Sequence, residues 1–296
     1  MVTMELRVLR YFLMVVQEKN ISQASERLHV SQPTVSRQLK ELEAELGTVL
    51  FERGNRSIQL TADGEYFANQ AKQILSLTDK TLANIHQEQD VRGAVYVGSA
   101  EARSMLTVAQ AIGHLNQRHP HVQINLVSTD ASDIHQQLGS GVFDFGVVME
   151  PTDKSDYDFL RLPGESRWGL LVQNRSPLAQ QATVSLDDIA HATLILPQQG
   201  GSQRIHALFG LDTADLHVAA TYNLLYNASL LVSAGVGSAL GLDGIINTNQ
   251  SDLTFVPLEP RTSSGSSLVW LKGQRLSTAA QALLAQIRSE LTPVEN

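Results

Sequence analysis

The sequence predicts an α/β protein with an all-helical head, and three observations carry that prediction. Apolar residues recur at helical spacing in three short runs between residues 5 and 46. A longer helical run then places apolar or small residues alternately four and three apart from residue 67 to residue 85. From residue 93 onward, short β-rich runs alternate with helical ones, the pattern of helices packed on a sheet.

Composition sets the limits. At 296 residues, 43% of them hydrophobic, the chain is long enough for two or three folding units with ample core. The absence of cysteine excludes disulfides, thiolate nucleophiles and cysteine zinc sites together. No apolar run reaches the roughly 18 residues a membrane helix needs. The apolar stretch 11–16 is surrounded by Glu5, Arg7, Arg10, Glu18 and Lys19 and lacks a small-residue cleavage site. No secretory signal is read, and the cytoplasm is the expected compartment. The net charge of −8 is unevenly placed: residues 1–64 hold eight basic and eight acidic side chains, whereas residues 93–296 hold eleven against eighteen. The acidity therefore belongs to the C-terminal part, and the head can still gather its basic groups on one face.

In the head, Leu6, Leu9, Phe12, Leu13 and Val16 predict a helix over 5–19. Ser22 is the expected N-cap of a short helix ending near Leu28, and His29-Val30-Ser31 a tight connection. Ser31 then caps a third helix, in which Pro33 is tolerated because first-turn amides lack helical partners. That helix carries Val35, Leu39, Leu42 and Leu46 on one side and stops near Gly47. Two short helices joined by such a turn form a helix-turn-helix, whose second helix enters the major groove of DNA. The stretch 51–60, with Gly54-Asn55 near its centre, predicts a two-stranded wing. A long helix follows from about 62 to 89. Phe67, Ala71, Ile74, Thr78, Thr81 and Ile85 fit a coiled-coil seam, or a helix packed on its own domain.

Beyond Arg92-Gly93 the expected order is strand 94–98, helix 104–118, strand 122–127, helix 132–138 and strand 145–148, a doubly wound arrangement on a parallel sheet. A second half repeats this alternation, with strand-like runs at 168–172 and 193–196, a short run at 186–189, a helix from 203, strand 217–221, helix 223–234 and strand 238–240. Strand 267–271 and helix 277–291 finish the chain, and Pro163-Gly164 and the stretch 263–267 suit crossings between two lobes. Gly235-Val236-Gly237-Ser238-Ala239-Leu240-Gly241 imitates a dinucleotide-binding run. It follows a helix and precedes a strand, the reverse of the required order, and reads as a helix C-terminal turn. His119-Pro120-His121 lacks both helical spacing and a third ligand for a metal.

The head resembles the LysR-type transcriptional regulators. The matching residues are Glu5-Leu6-Arg7, Leu9-Arg10-Tyr11-Phe12, Ser22-Gln23-Ala24-Ser25-Glu26-Arg27-Leu28 and Val30-Ser31-Gln32-Pro33-Thr34-Val35-Ser36. Leu39, Leu42-Glu43, Leu46-Gly47, Leu50-Phe51-Glu52-Arg53 and Leu60-Thr61-Ala62-Asp63-Gly64 continue the match, with Met4 standing where the family's chains usually start. Farther on, Val97-Gly98, Gly141-Val142-Phe143-Asp144-Phe145-Gly146 and Ser233-Ala234-Gly235-Val236-Gly237 look like family landmarks. Leu106-Thr107 and Leu242-Asp243 stand where the family carries Leu-Pro. The resemblance implies a winged helix-turn-helix, a dimerising linker helix and two periplasmic-binding-protein-like lobes that hold an effector, usually assembled as a tetramer. The expected division is 1–64 for DNA binding, 65–92 for the linker and 93–296 for the effector domain. Lobe I then takes about 93–161 and 267–296, and lobe II about 162–266.

Candidate site residues follow. With Val35, Leu39 and Leu42 inward, a step of about 100° per residue sets Pro33, Arg37 and Lys40 opposite the core. Ser36 lies beside them, Thr34 flanks them, and Gln32 occupies the exposed first turn. Arg and Gln suit guanine and adenine edges, and Ser and Thr suit phosphates or bases. Arg53 in the wing is a candidate backbone or minor-groove contact, or a surface ion pair. Ligands of open α/β sheets bind beyond the C-terminal strand ends. Here that rule selects Ser99, Arg103, Ser104, Gly200, Gly201, Ser202 and Asn223. Helix N-termini at two of these loops suggest a small anionic or polar effector, although Glu101 would oppose an anion if it pointed inward. An enzyme or a transport solute-binding protein are the alternatives. The first needs a nucleophile, metal cluster or phosphate loop, none of which is read; the second leaves the head without a purpose. The expected partners are double-stranded DNA, an effector and further copies of the chain, without membrane, cofactor, metal or catalytic residue.

Overall fold

The computed structural model describes residues 4–53, 58–85, 91–198 and 201–292. The chain divides into two compact units, residues 1–86 and 87–296.

The first unit holds α1 (Leu6–Glu18), α2 (Ile21–Arg27), α3 (Gln32–Leu46), β1 (Phe51–Arg53), β2 (Ile58–Leu60) and α4 (Ala62–Ile85). Helix α1 buries Val8, Leu9, Tyr11, Phe12 and Val15, while Leu6 stays exposed, so the apolar stripe is turned from the expected one. Lys19, left-handed at φ 52°, ends the helix. The cap of α2 is Asn20 rather than Ser22: its Oδ1 accepts from the amides of Ser22 (2.8 Å) and Gln23 (3.2 Å). An Asn side chain one residue upstream reaches the second and third helical amides, which a Ser inside the first turn cannot do. Ser31 caps α3 as expected, accepting from the Thr34 amide, and Gly47 closes it at φ 69°. The Glu43 carboxylate accepts from the amides of Leu50 (2.8 Å) and Phe51 (3.3 Å) and so aims the chain into β1. Strands β1 and β2 pair antiparallel, Phe51 opposite Leu60; Gly54-Asn55 lies outside the described residues.

Helix α4 corrects the seam expectation over its first half. Phe67, Ala68, Ala71, Ile74 and Leu75 pack into the core of the head, and the Phe67 ring meets Phe12 edge-on at 5.0 Å. Gly64 allows this approach, since a Cβ there would lie 2.1 Å from the Leu50 carbonyl oxygen. The side chains of residues 83–85 and all of residues 86–89 lie outside the described residues.

The second unit opens with β3 (Gly93–Ser99), α5 (Met105–Arg118), β4 (Val122–Ser128), α6 (Ala131–Gly139), β5 (Phe145–Met149) and β6 (Tyr157–Gln173). It continues with β7 (Val184–Ser185), α7 (Leu186–His191), β8 (Leu194–Pro197), α8 (Gly201–Phe209), β9 (Val218–Tyr222) and α9 (Leu225–Ser233). The chain ends with β10 (Ser238–Leu242), β11 (Leu253–Glu259), β12 (Ser263–Leu271) and α10 (Thr278–Leu291). The sheet is mixed, not parallel as expected. Strand β3 is parallel to β4 and β5, and β8 to β9 and β10. Strand β12 runs antiparallel to both β5 and β6, and β10 and β11 run antiparallel to β6.

Strand β6 joins two halves. Its first part pairs with β12, and its last part is flanked by β10 on one edge and β11 on the other. The register between β6 and β12 breaks at Ser264/Ser266, opposite Pro163-Gly164-Glu165. Most of residues 157–167 and all of β11 were not anticipated as strand, because their exposed faces dilute the apolar signal. One half buries Val95, Val147, Leu268 and Leu283 around α5 and α10. The other packs Trp168, Leu170, Leu194 and Leu240 against α7 and α8, and Leu171, Ile195 and Val232 on the α9 side. A Cβ at Gly98 would meet the Phe143 ring at 2.3 Å, which ties that landmark to close packing beside α6.

Candidate functional site

Helix α3 presents the expected polar face. Val35, Leu39 and Leu42 are buried, whereas Gln32, Pro33, Arg37 and Lys40 are exposed and Thr34 and Ser36 lie half-buried. The Ser31 hydroxyl, besides capping the helix, bonds the Thr34 hydroxyl at 2.7 Å, which draws Thr34 toward its own backbone. Arg37 sits 3.8 Å from the Glu41 carboxylate with its side chain 72% exposed. An ion pair that open and that long holds the guanidinium weakly. The Glu41 carboxylate is also the acceptor for the Gln38 amide at 2.6 Å, so a second residue competes for it. Lys40 has no ion pair among the described residues. The side chain of Arg53 lies outside the described residues.

In the second unit the C-terminal ends of β3, β5, β8, β9 and β10 converge on a crevice, the position expected for a ligand of an open sheet. Two cavities occupy it and share Met149 in their walls. The first encloses about 520 Å³, open solvent at its mouth included, with Ala100, Glu101, Trp168, Tyr222 and Asn223 in its lining. The second, about 540 Å³ on the same measure, is bordered by Arg103, Ser104, Glu165, Ser166 and Ser266. Burial and the Glu101 carboxylate both push the Tyr222 phenol far up, and its hydroxyl donates to the Leu240 carbonyl at 2.8 Å. Trp168 Nε1 donates to the buried Ser264 Oγ at 2.9 Å, and its ring meets Phe209 edge-on at 5.5 Å.

The expected ligand residues separate on this map. Arg103 and Ser104 border the second cavity and Asn223 the first. The Ser104 hydroxyl is hydrogen-bonded to that of Ser266, and the Arg103 stem lies over Gly244. Ser99 is buried and lines neither cavity; its hydroxyl donates to the Ala100 carbonyl at 2.8 Å. Ser202, near the start of α8, is exposed and also lines neither, Gly201 opens that helix, and Gly200 lies outside the described residues.

The free amides expected at the start of α5 are not free. Those of Met105, Leu106 and Thr107 each turn back to a carbonyl three residues earlier, at 3.1 Å. Glu101 does point inward, and its Oε2 accepts from the Leu225 amide at the start of α9 at 2.5 Å. The structure therefore runs against an acid in the first cavity: the helix end that would attract one already holds a carboxylate of the chain itself. Met149, Trp168 and Tyr222 were missed as lining residues. They lie on three different strands, and no local spacing signals that they meet.

Known proteins resemble the whole chain. The sequence model described as "Bacterial regulatory helix-turn-helix protein, lysR family" matches residues 6–65, and that described as "LysR substrate binding domain" matches residues 88–292. Similar proteins include the HTH-type transcriptional regulator BudR of Raoultella terrigena, 27% identical over 95% of this chain and 99% of its own. The HTH-type transcriptional regulator BsdA of Bacillus subtilis (strain 168) is 30% identical over 80% of this chain and 83% of its own. Full-length CbnR solved with its target DNA shares the fold at a TM-score of 0.73, with 23% identity over 97% of this chain and 100% of that one. Full-length BenM aligns at a TM-score of 0.54 and 27% identity, over 97% of this chain and 96% of that one. Head and two-lobed α/β domain both have their counterparts, and the chain belongs to the LysR family of DNA-binding transcriptional regulators with an effector-binding domain.

Proposed function

We propose that this regulator reads double-stranded DNA with the α3 face formed by Gln32, Pro33, Thr34, Ser36, Arg37 and Lys40, with Arg53 of the wing as an auxiliary contact. The observation that carries this reading is the exposed pair Arg37 and Lys40 opposite a fully apolar inner face. The division of labour is 1–64 for DNA, 65–92 for self-association and 93–296 for the effector, with lobe I at about 93–161 and 267–296 and lobe II at about 162–266. The chain works in the cytoplasm as a dimer through its linker helix, two such dimers making a tetramer. A dimer sets two half-sites about one helical turn of DNA apart, or a multiple of it. The effector sits in the crevice around Met149, and by favouring one lobe arrangement it changes how the reading helices engage their sites, since binding shifts only states it distinguishes. The structure of the related CbnR with its target DNA supports the reading by analogy.

The test uses the full chain and DNA from upstream of its own gene, in a gel-shift titration against random DNA. Arg37→Ala is expected to weaken specific binding by about 1–3 kcal/mol and to relax base preference at one position of each half-site. An equal loss on specific and random DNA would make Arg37 a phosphate contact instead.

A further inference from the structure

The donors and acceptors of the first cavity are unequally committed. Trp168 Nε1–H is given to Ser264, and the Tyr222 hydroxyl proton to the Leu240 carbonyl. Among the described residues the lining carries no lysine, arginine or histidine, and its one charged side chain is Glu101. That carboxylate, delivered by the loop after β3, meets the Leu225 amide through Oε2, at a helix start whose N-cap Leu224 offers no side-chain acceptor. Oε1 has no partner among the described residues. The remaining spare side-chain donor on the lining is the amide of Asn223, exposed at the mouth, whose own oxygen accepts from the Leu224 amide at 2.9 Å. Ala100, Met149, Pro197, Leu225 and Leu242 make most of the rest of the wall apolar.

A site with a spare anionic acceptor and no inner donor selects a ligand that brings hydrogens and positive charge. An incoming carboxylate would lie beside Glu101 without a counter-charge, in surroundings too apolar to screen the repulsion. We propose that the first cavity of the crevice, taken as the effector site, recognises a primary amine on an apolar body: its ammonium sits against Glu101 and its hydrocarbon part against Met149, Trp168 and Tyr222. This reverses the sign of charge suggested by the helix N-termini. It does so by the same physics, because Glu101 already fills the anion position at α9.

Calorimetric titration of the full-length protein tests the proposal with two probes of similar shape and opposite charge, phenethylamine and hydrocinnamate. Phenethylamine is expected to bind the wild type and to bind Glu101→Gln about tenfold more weakly or worse. Gln keeps an acceptor for the Leu225 amide, so folding is preserved. Hydrocinnamate is expected to bind neither. Equal amine affinity for wild type and Glu101→Gln, preference of the wild type for hydrocinnamate, or no binding of either probe at millimolar concentration overturns the amine assignment. Asn223→Trp, which fills the mouth from an exposed position, separates this from the crevice reading. Acid binding that Asn223→Trp abolishes overturns the ligand class alone. Binding of either probe that ignores Asn223→Trp overturns the crevice as well.

Discussion

Single side chains in this protein are set by whichever partner reaches them first. Glu43 orders β1 by accepting two amides, and Glu101 takes the start of α9, beside Asn223, which was expected to touch the effector. Glu150 shows the electrostatic version. Burial works to raise its carboxyl, but hydrogen bonds from Lys154 and Ser267 outweigh that and hold it below its ordinary value; the Ser267 hydroxyl lies 2.7 Å from Oε1. A lowered folded-state value contributes stability above the unfolded value near 4.5, and that contribution is lost as pH falls through the folded value. Thermal melts of wild type and Glu150→Gln from about pH 6 down to about pH 3 should therefore converge on the acid side, the variant having the flatter profile. Parallel profiles would show that Glu150 is not among the groups driving acid destabilisation.

At the scale of elements, α4 serves the head on one face and leaves another uncovered. Leu75 is buried with Ala68 and Ala71, whereas Tyr66 and Leu77 are exposed on the opposite side. Stepping about 100° per residue, Tyr66, Gln70, Gln73, Leu77 and Thr81 form a stripe of mostly four-three spacing that faces away from the head core. Leu75→Ala should cost about 2–4 kcal/mol in the unfolding of the head, from the lost contacts and the cavity left behind. Leu77→Lys should leave that transition in place while lowering the light-scattering mass of the full chain below that of the wild type. A variant that keeps the wild-type mass would move linker-helix pairing off this stripe. The sequence revealed the helix and its period but not which residues of the period face home. Ala71 and Ile74 suit an intermolecular seam and a domain core equally well, and only the position of Phe12 and Leu50 decides between them.

For the molecule as a whole, the net charge of −8 is concentrated away from the head, so DNA affinity rests on few basic groups and each of them carries a large share of its salt dependence. Lys40→Ala should reduce the slope of log affinity against log salt by about one unit, with little change in sequence preference. An unchanged slope would remove Lys40 from the phosphate contacts. Among the described residues no helix is long and apolar enough to cross a membrane. The local patterns of the chain were sufficient for the helix-turn-helix, the long helix, most α/β elements and the family, because capping, periodicity and turn chemistry act over a few residues. What the tertiary structure decided is the crevice. Strand β6 runs through both halves, β12 returns beside it, and five strand ends thereby bring Glu101, Met149, Trp168 and Tyr222 to one cavity from across more than a hundred residues. Chain-distant groups of that kind leave no periodicity to read: their meeting depends on sheet order and register, which are settled by packing the whole core at once.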